Sequence, residues 1–163
     1  MNPRLIALAA LLGLSSFAQS QVPNFPLPDL AGGLKATPGC LGVEQARTTS
    51  GKLVVFAWFE DKKAALRWYN SEMHQQLIKM AGSPPDPNHT PLADIADDSG
   101  PMLAIASLTP ASPGAANPLP LPVSQISIEL YQPLPGGVFV GGRFAPDSLK
   151  VPGMRNYTPV YAK

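Results

Sequence analysis

An apolar run, a capping aspartate and an amphipathic stretch follow one another without interruption from Lys52 to Met80, KLVVFAWFEDKKAALRWYNSEMHQQLIKM. Leu53 to Phe59 is made of branched and aromatic residues, which suit a strand covered on both faces. Asp61 offers a side-chain oxygen to the orphaned N–H groups of a helix start. Beyond it Leu66, Tyr69, Met73, Leu77 and Met80 recur at steps of three and four, the spacing of one helical face. Gly82 and Pro84-Pro85 end the run. The stretch predicts a strand feeding one long helix.

Residues 1–20 stand apart. Arg4, the short apolar run Leu5 to Leu14 and the small-x-small triplet Ala18-Gln19-Ser20 have the layout of a signal peptide and its cleavage site. The apolar run is too short to span a bilayer stably. The sequence therefore predicts an exported protein, periplasmic or secreted, that starts at Gln21; an uncleaved anchor is the alternative. The full chain has 12 basic and 11 acidic residues, and losing Arg4 balances them at 11 each. A balanced chain lacks the basic excess that nucleic acid or an anionic membrane surface demands, so neither is an expected partner.

Twenty prolines punctuate the chain. They gather at 23–38, 84–91 and 110–122, where fixed φ stiffens connectors. This divides the chain into a Pro-rich linker or arm at 21–38, one domain at 39–146 with a Pro-rich loop at 110–122, and a C-terminal tail at 147–163. Within the domain, Leu41 to Thr48 and Leu53 to Phe59 flank the turn residues Thr49-Ser50-Gly51 and read as a β-hairpin. A helical turn capped by Thr90 is expected at Pro91 to Ala96. Met102 to Leu108 is a short apolar strand. Gln125 to Tyr131 alternates cleanly, with Ile126, Ile128 and Leu130 on one face. Pro135-Gly136-Gly137 then turns into Val138 to Val140, giving a C-terminal hairpin from Gln125 to Phe144. The order predicts an α+β fold, an antiparallel sheet with one long helix on one face.

Cys40 is the sole cysteine, so no internal disulfide forms. A small buried hydrophobe, a bridge between two chains and a reactive thiol are the three readings open to it. His89, Asp94, Asp97 and Asp98 match the spacing of neither an EF-hand loop nor a paired-histidine helix motif, so a solvated acidic loop and no metal site are expected.

The segment FAWFEDKKAALRWYNSEMHQQL resembles the strand-to-helix segment of the antibiotic-biosynthesis monooxygenase family. The pattern falls on Trp58, Glu60, Ala64-Ala65-Leu66, Trp68-Tyr69, Ser71 and His74, and the resemblance covers about residues 40–109. It implies a ferredoxin-like, dimeric α+β barrel fold, a homodimer, and chemistry on a small apolar or aromatic molecule without a tightly bound cofactor. Haem-degrading relatives carry a ligating histidine about ten residues beyond the helix tryptophan. That position is Ile78 here, which argues against haem ligation of that kind. The family also opens with a strand and helix that residues 21–38 are too short to supply. The C-terminal hairpin is expected to fill the missing strand's place in the sheet.

His74 titrates near neutral pH and is the candidate catalytic residue, an acid/base or substrate-orienting group. The alternative is a flank histidine making a structural hydrogen bond. Trp58, Trp68 and Asn70 are the candidate ligand-binding residues, with core burial the competing reading for Trp58. Trp68 lies nearly opposite the Leu66/Met73/Leu77 stripe and calls for a second surface, which points to a homodimer. Two functions stand: an exported oxygenase-like enzyme, or a non-catalytic ligand-binding or assembly module of the same fold.

Overall fold

A computed structural model describes residues 29–82, 86, 88–114, 116, 117 and 119–160. Residues 1–20, expected to be a signal peptide, and the first part of the arm lie outside the described residues. Four strands form an antiparallel sheet whose spatial order is their chain order: β1 (Cys40–Arg47), β2 (Leu53–Phe59), β3 (Met102–Pro110) and β4 (Val123–Tyr131). Val55 lies opposite Ala106, and Ala106 opposite Ile128. The side-chain period of two then places Val55, Ala57 and Phe59 on one face of β2 and Val54, Phe56 and Trp58 on the other.

Helices cover the first of these faces. Phe59, Val55 and Ala57 pack with Ala64, Ala65 and Leu34 in the larger buried cluster. The helical run after Asp61 is in two pieces, α2 (Lys62–Tyr69) and α3 (Glu72–Met80). Asp61 caps α2 by accepting from the Ala64 N–H at 2.7 Å. The single long helix expected from the spacing is interrupted at Asn70-Ser71, for a local reason. Ser71 takes up extended backbone and accepts from the His74 N–H at 3.2 Å, acting as a second N-cap. Serine and asparagine compete with the helix for backbone partners, and here the competition ends one helix and starts another. As a result α3 contributes no buried residue.

The arm also departs from expectation. Its end forms a six-residue helix, α1 (Leu30–Lys35), capped by Asp29. At Gly33 a Cβ would run into the Met73 thioether, so a larger residue there would make the Met73 side chain shift for α1 to settle against α3.

The C-terminal strands are present but do not form a hairpin. β4 joins the sheet as its edge strand. Beyond it Pro133 and Pro135, with fixed φ and no N–H, prevent a tight return. β5 (Val138–Phe139) instead pairs in parallel with β6 (Arg155–Asn156). The intervening segment crosses the second sheet face. Phe144 meets Phe56 and Trp58 edge-on, with ring centroids 4.9 and 5.2 Å apart. Pro146 lies so close over Gly42 that a Cβ there would come within 2.9 Å of it. The stretch from Asp147, expected as a tail, carries the buried Leu149 as well as β6. Arg143 gathers this segment by donating to the carbonyls of Pro146 and Leu149.

Candidate functional site

Between the helices and the sheet lies a cavity of about 790 Å³. Its origin is visible in the side chains of β2 and β3. Large residues fill both ends of the covered face: Phe59 and Met102 belong to one buried cluster, Leu108, Leu121 and Val123 to another. Between them the floor is Ala57, Ala104 and Ala106, with Ala65 above, and all four line the cavity. Methyl groups cannot reach across a helix–sheet layer spaced at roughly 10 Å, so the space stays open. The stripe Tyr69 and Leu77, expected to be core, forms part of the cavity wall instead.

Trp68 and His74 both line this cavity. The Trp68 ring packs against the larger core cluster. Part of its burial is thus supplied within the chain. The His74 ring sits 5.5 Å from that of Trp68 and 5.1 Å from that of Tyr69. The helix break determines its chemistry. Because α2 stops at Tyr69, the Tyr69 carbonyl accepts from side chains: His74 Nδ1 at 2.9 Å and Gln75 Nε2 at 2.7 Å. A carbonyl only accepts, so Nδ1 carries the hydrogen and the Nε2 lone pair is left over. Nε2 has no hydrogen-bond partner among the described residues. Burial pushes the His74 pKa below its ordinary 6.5, partly offset by the bond to Tyr69. At neutral pH the ring is therefore an uncharged acceptor on an apolar wall.

The other two candidates lie elsewhere. Trp58 is on the opposite sheet face, 3 % exposed beneath Phe144. Asn70 is the exposed C-cap of α2 and is not among the lining residues. His89, read from the sequence only as part of an acidic loop, lines the cavity with Pro91 and Leu92. No periodicity marks a loop residue that tertiary folding carries to a site, and a histidine beside prolines gives little warning of it. Cys40 is half-buried against the larger cluster, with Sγ 3.6 Å from the Gly42 carbonyl. Burial pushes its thiol up from 9.0, which disfavours the reactive thiolate. Among the described residues no three His, Cys, Asp or Glu side chains gather as metal ligands.

The antibiotic biosynthesis monooxygenase family model matches residues 27–80. That match spans α1 to α3, and so includes Trp68 and His74. The matched segment thus supplies the hairpin, the helix layer and the His74 side of the cavity. A four-stranded antiparallel sheet with helices on one face fits the ferredoxin-like architecture of that family. The likeness of residues 27–80 is to a monooxygenase-like or small-molecule-binding fold. No curated protein and no solved structure matches the chain. Among the described residues no helix is long and apolar enough to cross a membrane.

Proposed function

We propose that the cavity binds a small apolar or aromatic organic molecule, and that His74 accepts a proton from it in an oxygenase-type reaction without a tightly bound cofactor. One observation carries this reading. An uncharged imidazole, its tautomer held by the Tyr69 carbonyl, stands beside Trp68 on the wall of an apolar cavity. Trp68 offers the stacking surface, and Nε2 offers a polar contact that orients an acidic hydroxyl or C–H. In a dry site such a contact counts for more than it does in water.

Dioxygen uptake with quinol-like substrates tests the proposal. His74→Gln is expected to lower kcat by about a hundredfold or more, the usual scale of a general base, with little change in melting temperature. Unchanged uptake in the variant overturns the catalytic role. Ligand binding with no uptake above buffer, in the wild type, establishes the non-catalytic module instead. The pH dependence has a definite sign. The active form is unprotonated, so the acid limb of kcat/KM lies below pH 6.5. Between the folded pKa and 6.5 the unfolded chain binds the extra proton, so stability falls as pH drops through that window.

We further propose that the protein is exported after cleavage behind Ser20 and forms a homodimer. Export rests on the signal-like residues 1–20. The dimer rests on edge strand β4, whose Ile126, Ile128 and Leu130 line the open side of the cavity and still stand partly in solvent, Ile128 by 60 %. A single exported sample tests both. Its intact mass should begin at Gln21, and light scattering at micromolar protein should give twice the chain mass. A chain starting at Met1 overturns the first, a monomer mass the second.

A further inference from the structure

We propose that residues 89–99 form a gate over the cavity, held shut by Lys62, and that this lysine sets how fast a ligand enters and leaves. The proposal rests on the cavity being a ligand site. The segment consists of turns, and beyond the bond from the His89 N–H to the neighbouring Asp86 carbonyl its backbone bonds are its own: Ala93 N–H to the Thr90 carbonyl, Ile95 to Leu92, Ser99 to Ala96. It brings His89, Pro91 and Leu92 to the cavity wall. The chain has two histidines, and both line this cavity, one on helix α3 and one on the gate.

Among the described residues, one side chain makes the polar contacts between this segment and the rest of the protein. Lys62, the first residue of α2, donates from Nζ to the Ile95 carbonyl at 2.6 Å and to Asp97 Oδ1 at 2.7 Å. Lys62 is only 9 % exposed. A buried ammonium is tolerated only with partners, and both of these partners belong to the gate. Asp97 itself is on the surface. The hydrogen bond from Lys62, with its charge, holds the Asp97 carboxyl below its ordinary 3.8, so the latch stays charged at neutral pH.

Two features favour opening. Leu92 is held at φ 57°, a left-handed conformation that a branched side chain adopts only under constraint, while packed against the core cluster. At the far end of the gate, Ser99 Oγ is buried without a hydrogen-bond partner among the described residues. Withdrawing the segment relaxes the first and gives the second access to water. Lys62 can follow by swinging its flexible stem outward, keeping its charge solvated. Beside the apolar packing of Leu92 and Ile95, the closed state thus has one reversible polar tether.

Stopped-flow fluorescence with the neutral apolar probe N-phenyl-1-naphthylamine, on the full chain, measures the gate. In Lys62→Met, which keeps the apolar stem and removes the tether, association and dissociation should both accelerate about tenfold, with Kd changed less than about threefold. Asp97→Asn alters only the exposed partner and should shift both rates in the same direction by a smaller factor. It carries the test if Lys62→Met fails to fold. Amide hydrogen exchange should quicken over 89–99 in either variant and stay unchanged in β2. Probe binding with wild-type rates in the variants overturns the gate and leaves the cavity reading standing. A wild-type protein that binds no probe overturns the cavity reading, and the gate with it.

Discussion

Trp58→Ala is expected to cost about 3–5 kcal/mol of stability, the range for removing a buried aromatic side chain, while leaving ligand affinity unchanged. The cost follows from its surroundings. Trp58 is 3 % exposed, sandwiched between Phe56 on its own strand and Phe144 from the C-terminal segment. Neither neighbour can collapse into the space without leaving its own contacts. The second half of the prediction follows from the sheet's alternation, which turns Trp58 away from the helices and the cavity. Urea denaturation reads the stability, and probe titration of the folded variant reads the affinity. Weakened binding with unchanged stability would return Trp58 to the ligand site. A loss of this size is a large fraction of the stability of an ordinary domain, so the variant should be handled at low temperature.

Ala106→Phe should do the converse. Ala106 is at the middle of the cavity floor, with Val55 opposite it on one neighbouring strand and Ile128 on the other. A phenyl group there points into space already open, so overpacking strain does not arise, and phenylalanine suits a strand. Probe affinity should fall at least about tenfold, or ~1.4 kcal/mol. The melting temperature should hold or rise, since filling a cavity commonly stabilises. Full-strength binding in this variant would show that ligands occupy some other place. Together the two substitutions separate the faces of the sheet, one supporting the fold and the other shaping the cavity.

Much of the sheet was legible in the sequence. Leu53–Phe59 has the predicted bounds because seven apolar residues between Lys52 and Glu60 leave no other register. The β1–β2 pairing followed from the turn residues Thr49 to Gly51. Trp68 and His74 were legible as candidates through the family pattern. Their meeting at a cavity was not, because it depends on Ala57, Ala104 and Ala106, and small residues carry no sign of what stands across from them. The helix break was written in Asn70-Ser71, but the apolar spacing runs on through both helices and hides it. The destination of β5 was hidden for a different reason. Its partner Arg155–Asn156 is polar and two residues long, too short for any periodicity to register.

The agreement between strand order and chain order bears on how the protein is made. Each strand of the sheet is laid beside the one synthesised just before it, so no strand must thread between two already paired. The β1–β2 hairpin closes over a short turn at little entropic cost, whereas Phe59 meets Met102 only after the helices and the 89–99 segment have been laid down between them. A chain emerging from the ribosome can complete the β1–β2 hairpin, add its helices, and then append β3 and β4 in turn. The wall formed by Ile126, Ile128 and Leu130 arrives last. Until it does, the Trp68–His74 side faces an unfinished groove, and a nascent chain released before Tyr131 would hold the histidine without the far wall of the cavity.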